Sequence, residues 1–281
     1  MKESGVINVD GAALSYSIDG HGPPVLIIGS TKYYQRTFSK EFRTWCRCGF
    51  LDLRYFAEPG TSCSADRITL DDYVDDIEKF CSATAFGQFV LLGHSHHGNV
   101  ALEYAKRHPA RVSHLVLVGT PPCNVSHTLL EAHRYWDAQA SESRRRLLSR
   151  NLEALRADKR LRSSEETYVA EYVADGPRYW YDPSFDATHL WEGVPVNLDM
   201  LKAFRQFFVD YSFKCGPTDL HAPVLVVQGR NDYAVPPTLW TELLPRLPNV
   251  DYHVFEGSGH TPQLEEGRLF DTTFLRWLHM T

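Results

Sequence analysis

Short apolar runs alternate with helical periodicities along most of this chain. Residues 6–9 and 13–18 read as two strands of a hairpin around Asp10-Gly11. Residues 24–28 form an apolar run that ends at Gly29-Ser30, which predicts a buried strand, and residues 50–53 predict another. Thr69 with Asp72 three positions on is a capping signal. It opens a helix through Phe80 that carries Leu70, Tyr73, Val74 and Ile77 on one face. Residues 89–92 form a strand, and Val100, Leu102, Tyr104 and Ala105 belong to a helix that stops near His108-Pro109. Residues 114–118 are the next strand. The alternation resumes with a strand at 224–227, a helix after Pro237, a strand at 252–255 and a last helix over 262–278. Strands that alternate with helices imply a mostly parallel sheet with helices on both faces.

Between Pro121 and Cys215 the pattern breaks into charged helical stretches with dense aromatics, among them Trp136, Tyr172, Trp180 and Trp191. The expected organisation is therefore a core of residues 1–120 and 216–281. Residues 121–215 form a helical cap inserted above the carboxyl ends of the strands, where open α/β sheets bind ligands.

Composition narrows the partners. The 281 residues are 43% hydrophobic and 23% charged, ordinary for a globular protein. A net charge of −6 argues against nucleic acid or an anionic membrane. No apolar run approaches the roughly 18 residues of a membrane-spanning helix. The first residues lack the apolar stretch of an export signal, so a cytoplasmic monomer or homodimer is expected. Cys46, Cys48, Cys63, Cys81, Cys123 and Cys215 are scattered and read as reduced thiols.

The segment Gly93-His94-Ser95-His96-His97-Gly98 stands between a predicted strand and a helix. A serine on such a sharp turn is exposed at a helix N-terminus, which favours developing negative charge. A serine needs a base, and the base needs an orienting partner. The strand at 224–227 runs into Gln228-Gly229-Arg230-Asn231-Asp232, and the strand at 252–255 into Glu256-Gly257-Ser258-Gly259-His260. Ser95, Asp232 and His260 thus each follow the carboxyl end of a strand and can converge. Each alone reads as an ordinary turn or loop residue; the conjunction carries the argument. Two backbone N–H groups would hold an oxyanion: that of His96 and one after the strand at 24–28, at Ser30 or its neighbour Thr31. His94, His96 and His97 lack a further ligand at metal spacing, so neither metal nor other cofactor is expected.

Together the elbow, Gly-Arg-Asn-Asp232-x-x-Val-Pro and Gly-Ser-Gly-His260-Thr-Pro resemble the α/β-hydrolase superfamily over nearly the whole chain. So does the order Ser95, Asp232, His260. Two departures stand out. Tyr55 follows Asp52-Leu53-Arg54 where the resemblance calls for glycine, and His97 occupies a position usually held by a small residue. Further segments, Ile27 to Ser39, Gly93 to Asn99, Gly176 to Asp182 and Leu190 to Gly193, are similar to serine-dependent macrolide esterases. That resemblance implies opening of sixteen-membered macrolactones such as tylosin and tilmicosin, and so antibiotic resistance. An aromatic wall would receive the substrate, with Tyr33, Tyr34, His97, Trp180 and Trp191 as candidates. Glu192, Asp182 or an aromatic face would meet the cationic amino sugar. A proline iminopeptidase, a carbon–carbon bond hydrolase or a non-catalytic receptor on the same fold are the rival readings.

Overall fold

The computed structural model describes residues 2–58, 64–160, 162–214, 220–247 and 249–281. Cys63 and Cys215, and with Cys215 the expected end of the inserted segment, lie outside the described residues. Cys46, Cys48, Cys81 and Cys123 are free thiols.

Eight strands form one sheet: β1 (Glu3–Val9), β2 (Ala12–Gly20), β3 (Pro24–Gly29), β4 (Arg47–Asp52), β5 (Phe89–His94), β6 (Val112–Val118), β7 (Val224–Gly229) and β8 (Val250–Phe255). Their order is β1-β2-β4-β3-β5-β6-β7-β8. The β1–β2 and β2–β4 pairs are antiparallel and all others parallel, so β2 alone runs against the rest. Every residue of β5 and β7 is buried. Both faces of these central strands are covered, which is why they read as unbroken apolar runs rather than alternating ones.

Two short helices lie between β3 and β4: α1 (Thr31–Thr37) and α2 (Phe42–Trp45). Next come α3 (Leu70–Thr84) and, from the end of β5, α4 (His96–Arg107). The expected capping box forms at α3. Thr69 accepts from the Asp72 N–H, and the Asp72 carboxylate accepts from the Thr69 N–H at 2.8 Å. Tyr73, Val74, Ile77 and Phe80 of α3 are fully buried. The same helix buries Asp76, whose carboxylate takes a two-pronged bond from Arg54 at 2.6 and 2.7 Å. That pair ties the turn after β4 to the helix.

Among the described residues, five α-helices stand between β6 and β7: α5 (Val125–Gln139), α6 (Glu142–Ala157), α7 (Ser164–Ala174), α8 (Thr188–Trp191) and α9 (Leu198–Gln206). After β7 follow α10 (Thr238–Thr241), α11 (Pro262–Glu265) and α12 (Gly267–Met280). The sequence predicts one last helix over 262–278, but the structure breaks it at Glu266, whose backbone leaves the helical region at φ −123° and ψ 51°. The Glu266 carboxylate turns back to accept from the Gly257 N–H and the Ser258 hydroxyl, at 2.9 and 2.7 Å. It thereby braces the loop that carries His260. Among the described residues, no helix is long and apolar enough to cross a membrane.

Candidate active site

Ser95 sits between the last residue of β5 and the first of α4 with φ +56° and ψ −137°, a conformation that costs a side-chain-bearing residue on the order of 1–3 kcal/mol. Its N–H donates to the Val118 carbonyl at 2.8 Å, and its carbonyl accepts from the Gly98 N–H at 2.9 Å. Close packing explains the flanking glycines. A Cβ on Gly93 would stand 2.5 Å from the Gly98 Cα, and one on Gly98 would stand 2.0 Å from the Thr120 Oγ1. The glycine the turn requires is therefore at 98, which leaves position 97 free to carry an imidazole.

Asp232 and His260 reach each other from the ends of β7 and β8. The His260 Nδ1 lies 2.7 Å from Asp232 Oδ2, and both residues are buried. The other carboxylate oxygen accepts from the N–H groups of Ala234 and Val235 at 2.9 and 2.8 Å. A carboxylate so held fixes the proton on Nδ1 and leaves Nε2 bare. His260 and Ser95 line the same cavity, of about 780 Å3, which lies between the strand ends and the inserted helices.

Ser30 is the N-cap of α1, a helix where the sequence suggested a loop. Its hydroxyl accepts from the Tyr33 N–H at 3.2 Å. The Thr31 N–H donates to Asp52 Oδ1 at 2.5 Å, which removes Thr31 as an alternative oxyanion donor. Ser30 is buried and does not line the cavity, whereas Tyr33 and Tyr34 one turn on do.

Of the three elbow histidines, His96 has its own partners, while His94 and His97 share the Tyr34 hydroxyl. His96 stacks on Phe208 at 4.4 Å and its Nδ1 lies 3.0 Å from Asn99 Oδ1. The His97 Nδ1 meets the Tyr34 hydroxyl at 2.8 Å, and its Nε2 meets the Tyr55 hydroxyl. The His94 Nδ1 meets the same Tyr34 hydroxyl at 3.0 Å, and its Nε2 lies 2.7 Å from the His260 carbonyl. Burial pushes His96 down to about 4 and His97 down to about 3, and lowers His94 well below the ordinary imidazole value. Among the described residues, no group of three or more His, Cys, Asp or Glu side chains could hold a metal ion.

A sequence profile described as the alpha/beta hydrolase fold matches residues 28–267. The chain belongs to the α/β-hydrolase family. This α/β-hydrolase is 32% identical over 280 residues to the AB hydrolase superfamily protein YclE of Bacillus subtilis (strain 168), which covers 99% of each chain. It is 27% identical over 219 residues to a proline iminopeptidase of Neisseria gonorrhoeae, 71% of this chain and 69% of that one. Among solved structures, VinJ superposes with a TM-score of 0.70 at 21% identity, over 99% of this chain and 98% of that one.

The cavity wall of this α/β-hydrolase differs in part from the sequence expectation. Tyr33, Tyr34, His97 and Trp191 line it. Trp180 does not. It is 1% exposed, its ring packs on Phe185 at 4.5 Å, and its carbonyl accepts from Arg144. The preceding residue, Tyr179, lines the cavity instead, with its ring 5.8 Å from that of His260. Asp182 also lies away from it, its carboxylate accepting from Ser184 at an exposed turn. Glu192 lines a second cavity, of about 890 Å3, that Trp191 and Leu155 share with the first.

The acidic side chains on the active-site cavity are instead Glu171 and Asp175 of the α7 region, with Tyr168 and Tyr172 beside them. Burial raises the Asp175 carboxyl, and Arg178 at 3.3 Å opposes that shift. These four residues recur at helical spacing, which is the sequence signal that could have found them.

The inserted segment is also sewn to the loops that carry Asp232 and His260. The His260 N–H donates to the Tyr179 carbonyl at 2.5 Å, and the Tyr233 N–H to the Arg178 carbonyl at 3.0 Å. Glu265 accepts from the N–H groups of Tyr181, Gly259 and Thr261 at 2.7, 3.0 and 3.0 Å.

Proposed function

We propose that this α/β-hydrolase is a serine carboxylesterase that opens the lactone of sixteen-membered macrolides and so confers resistance to them. One observation carries the reaction type. An imidazole, oriented by a carboxylate that two backbone N–H groups hold, opens on the same cavity as a serine on a strained strand-to-helix turn.

In this reading the Ser95 Oγ attacks the ester carbonyl while the His260 Nε2 takes its proton. The oxyanion rests on the N–H groups of His96 and Ser30, at the head of α4, where the helix dipole favours negative charge. His260 then returns the proton to the leaving alcohol, activates a water, and the acid leaves Ser95. A lactone's alcohol stays tethered to the acyl-enzyme, so ring closure competes with water until that alcohol swings aside.

The macrolide assignment draws on the cavity. About 780 Å3 suits a drug-sized ligand, and Tyr33, Tyr172, Tyr179 and Trp191 give it a broad aromatic wall. Glu171 and Asp175 provide negative charge for a cationic amino sugar. The same two carboxylates favour a second reading, a proline iminopeptidase that would hold a free α-amino group there.

Incubation with tylosin and tilmicosin, followed by mass spectrometry, tests the first reading. The product gains one water, and Ser95→Ala forms none while keeping its fold. Unchanged macrolide would discard that assignment, and cleavage of a prolyl arylamide in its place would establish the second reading.

A further inference from the structure

Four side chains behind the elbow join end to end. Tyr55 meets His97, His97 meets Tyr34, Tyr34 meets His94, and His94 meets the main-chain carbonyl of His260. All four are buried. They come from three separate places in the chain: the turn after β4, helix α1 and the elbow.

The last acceptor fixes the direction of every bond. A carbonyl only accepts, so His94 carries its proton on Nε2. Burial keeps His94 neutral, so its Nδ1 is bare and accepts from the Tyr34 hydroxyl. Tyr34 has then spent its single proton, and its oxygen accepts from the His97 Nδ1–H. His97 is neutral for the same reason, so its Nε2 is bare and accepts from the Tyr55 hydroxyl. Two neutral histidines three residues apart are thus opposite tautomers. The path is also sterically specified. Gly29 has φ +141°, and a Cβ there would stand 2.2 Å from the Tyr34 ring and 2.7 Å from the His97 Nδ1.

We propose that Tyr55, His97, Tyr34 and His94 form one directional hydrogen-bond chain that clamps the main chain of His260 and holds its imidazole in register with Ser95. The four are positioning residues, and their role rests on the reading of His260 as the base. His260 is otherwise held by its N–H on Tyr179 and its Nδ1 on Asp232. The His94 bond supplies the third restraint, on the carbonyl. Bonds within such a buried network reinforce one another, so a break at the far end is felt at His260.

The test has two arms, and neither needs the natural substrate. Ring 15N spectra of the histidines near neutral pH, assigned with His97→Asn, read the tautomers. His94 is expected as Nε2–H and His97 as Nδ1–H. The same tautomer at both, or a charged ring at either, overturns the chain.

The second arm is the rate at which a fluorophosphonate labels Ser95. Tyr34→Phe removes the central hydroxyl and is expected to slow the bond-forming step of labelling by about 100-fold. Tyr55→Phe, which removes only the distal donor, is expected to slow it less and keeps the test available should Tyr34→Phe fail to fold. His94→Gln, which retains a donor for the carbonyl, is expected to label faster than His94→Leu. Wild-type rates in both tyrosine variants, or a loss confined to affinity, overturn the positioning role. A wild type that does not label at all defeats the triad reading instead, and the tautomers still decide whether the chain exists.

Discussion

The Tyr55 hydroxyl meets the Nε2 of His97, joining the two positions at which this chain departs from the α/β-hydrolase pattern. Each departure alone is a bulky polar side chain where a small residue is usual. Together they satisfy one another in a buried site, since an unpaired hydroxyl or imidazole there would cost on the order of 1–3 kcal/mol. The two changes are therefore energetically coupled. A cycle of Tyr55→Phe, His97→Ala and the double variant, followed by urea unfolding, should give a coupling of about 1 kcal/mol. Additive losses would mean that the bond contributes nothing.

Asp232 is held by the Ala234 and Val235 N–H groups with its second oxygen against the His260 Nδ1. Asp232→Asn keeps the shape but offers His260 an amide that can stabilise the wrong tautomer. We expect kcat on p-nitrophenyl acetate to fall by about 10^4 with KM nearly unchanged and the thermal midpoint within a few degrees. A loss of less than about tenfold would remove Asp232 from the triad.

Asp52 gives a pH dependence with a definite sign. Burial pushes its carboxyl from 3.8 up to about 6, against the Thr31 N–H that bonds to it. The folded state then holds a proton that the unfolded chain has released, so this contribution to stability is complete below pH 3.8 and is lost as pH rises through 6. Asp52→Asn does not ionise. Its stability relative to the wild type should rise between pH 4 and 7 by an amount on the order of 3 kcal/mol, measured by urea unfolding across that range. A flat difference would contradict the raised value.

The Arg54–Asp76 pair lies almost wholly out of water, with side chains 1% and 0% exposed. Asp76→Ala takes away the two-pronged partner of a buried guanidinium, leaves it the longer bond to Asp10 at 3.3 Å, and should cost about 3–5 kcal/mol, while Arg54→Met combined with Asp76→Leu should recover much of it. Equal losses from the single and double changes would show that packing, not charge, governs the site.

Trp191 and Leu155 border both cavities. Trp191→Ala should therefore merge the two spaces and raise kcat/KM for bulky acyl esters relative to acetate. An unchanged ratio across an ester series would mean that the second cavity lies outside the substrate's reach.

Much of this was legible in the sequence because strand ends were. An apolar run that stops at Gly-x-Ser, at Gly-Arg-Asn-Asp or at Gly-Ser-Gly-His marks a turn whatever the rest of the chain does. The capping box at Thr69 was equally plain. Helix α1 was not, since seven residues give too little periodicity to separate a helix from a loop. Trp180 and Tyr179 are neighbours in a tight turn, and composition cannot say which of two adjacent aromatics faces a cavity. The break at Glu266 depends on a carboxylate that reaches back to Gly257 and Ser258, a tertiary bond that overrides local helical preference.

The stitches between residues 178–181 and the loops that carry Asp232 and His260 have a mechanical consequence. Lifting the inserted helices at that edge would pull on the main chain of His260 and dismantle the site it serves. Residues 178–181 and the loops that carry Asp232 and His260 are thus tied to move as one body.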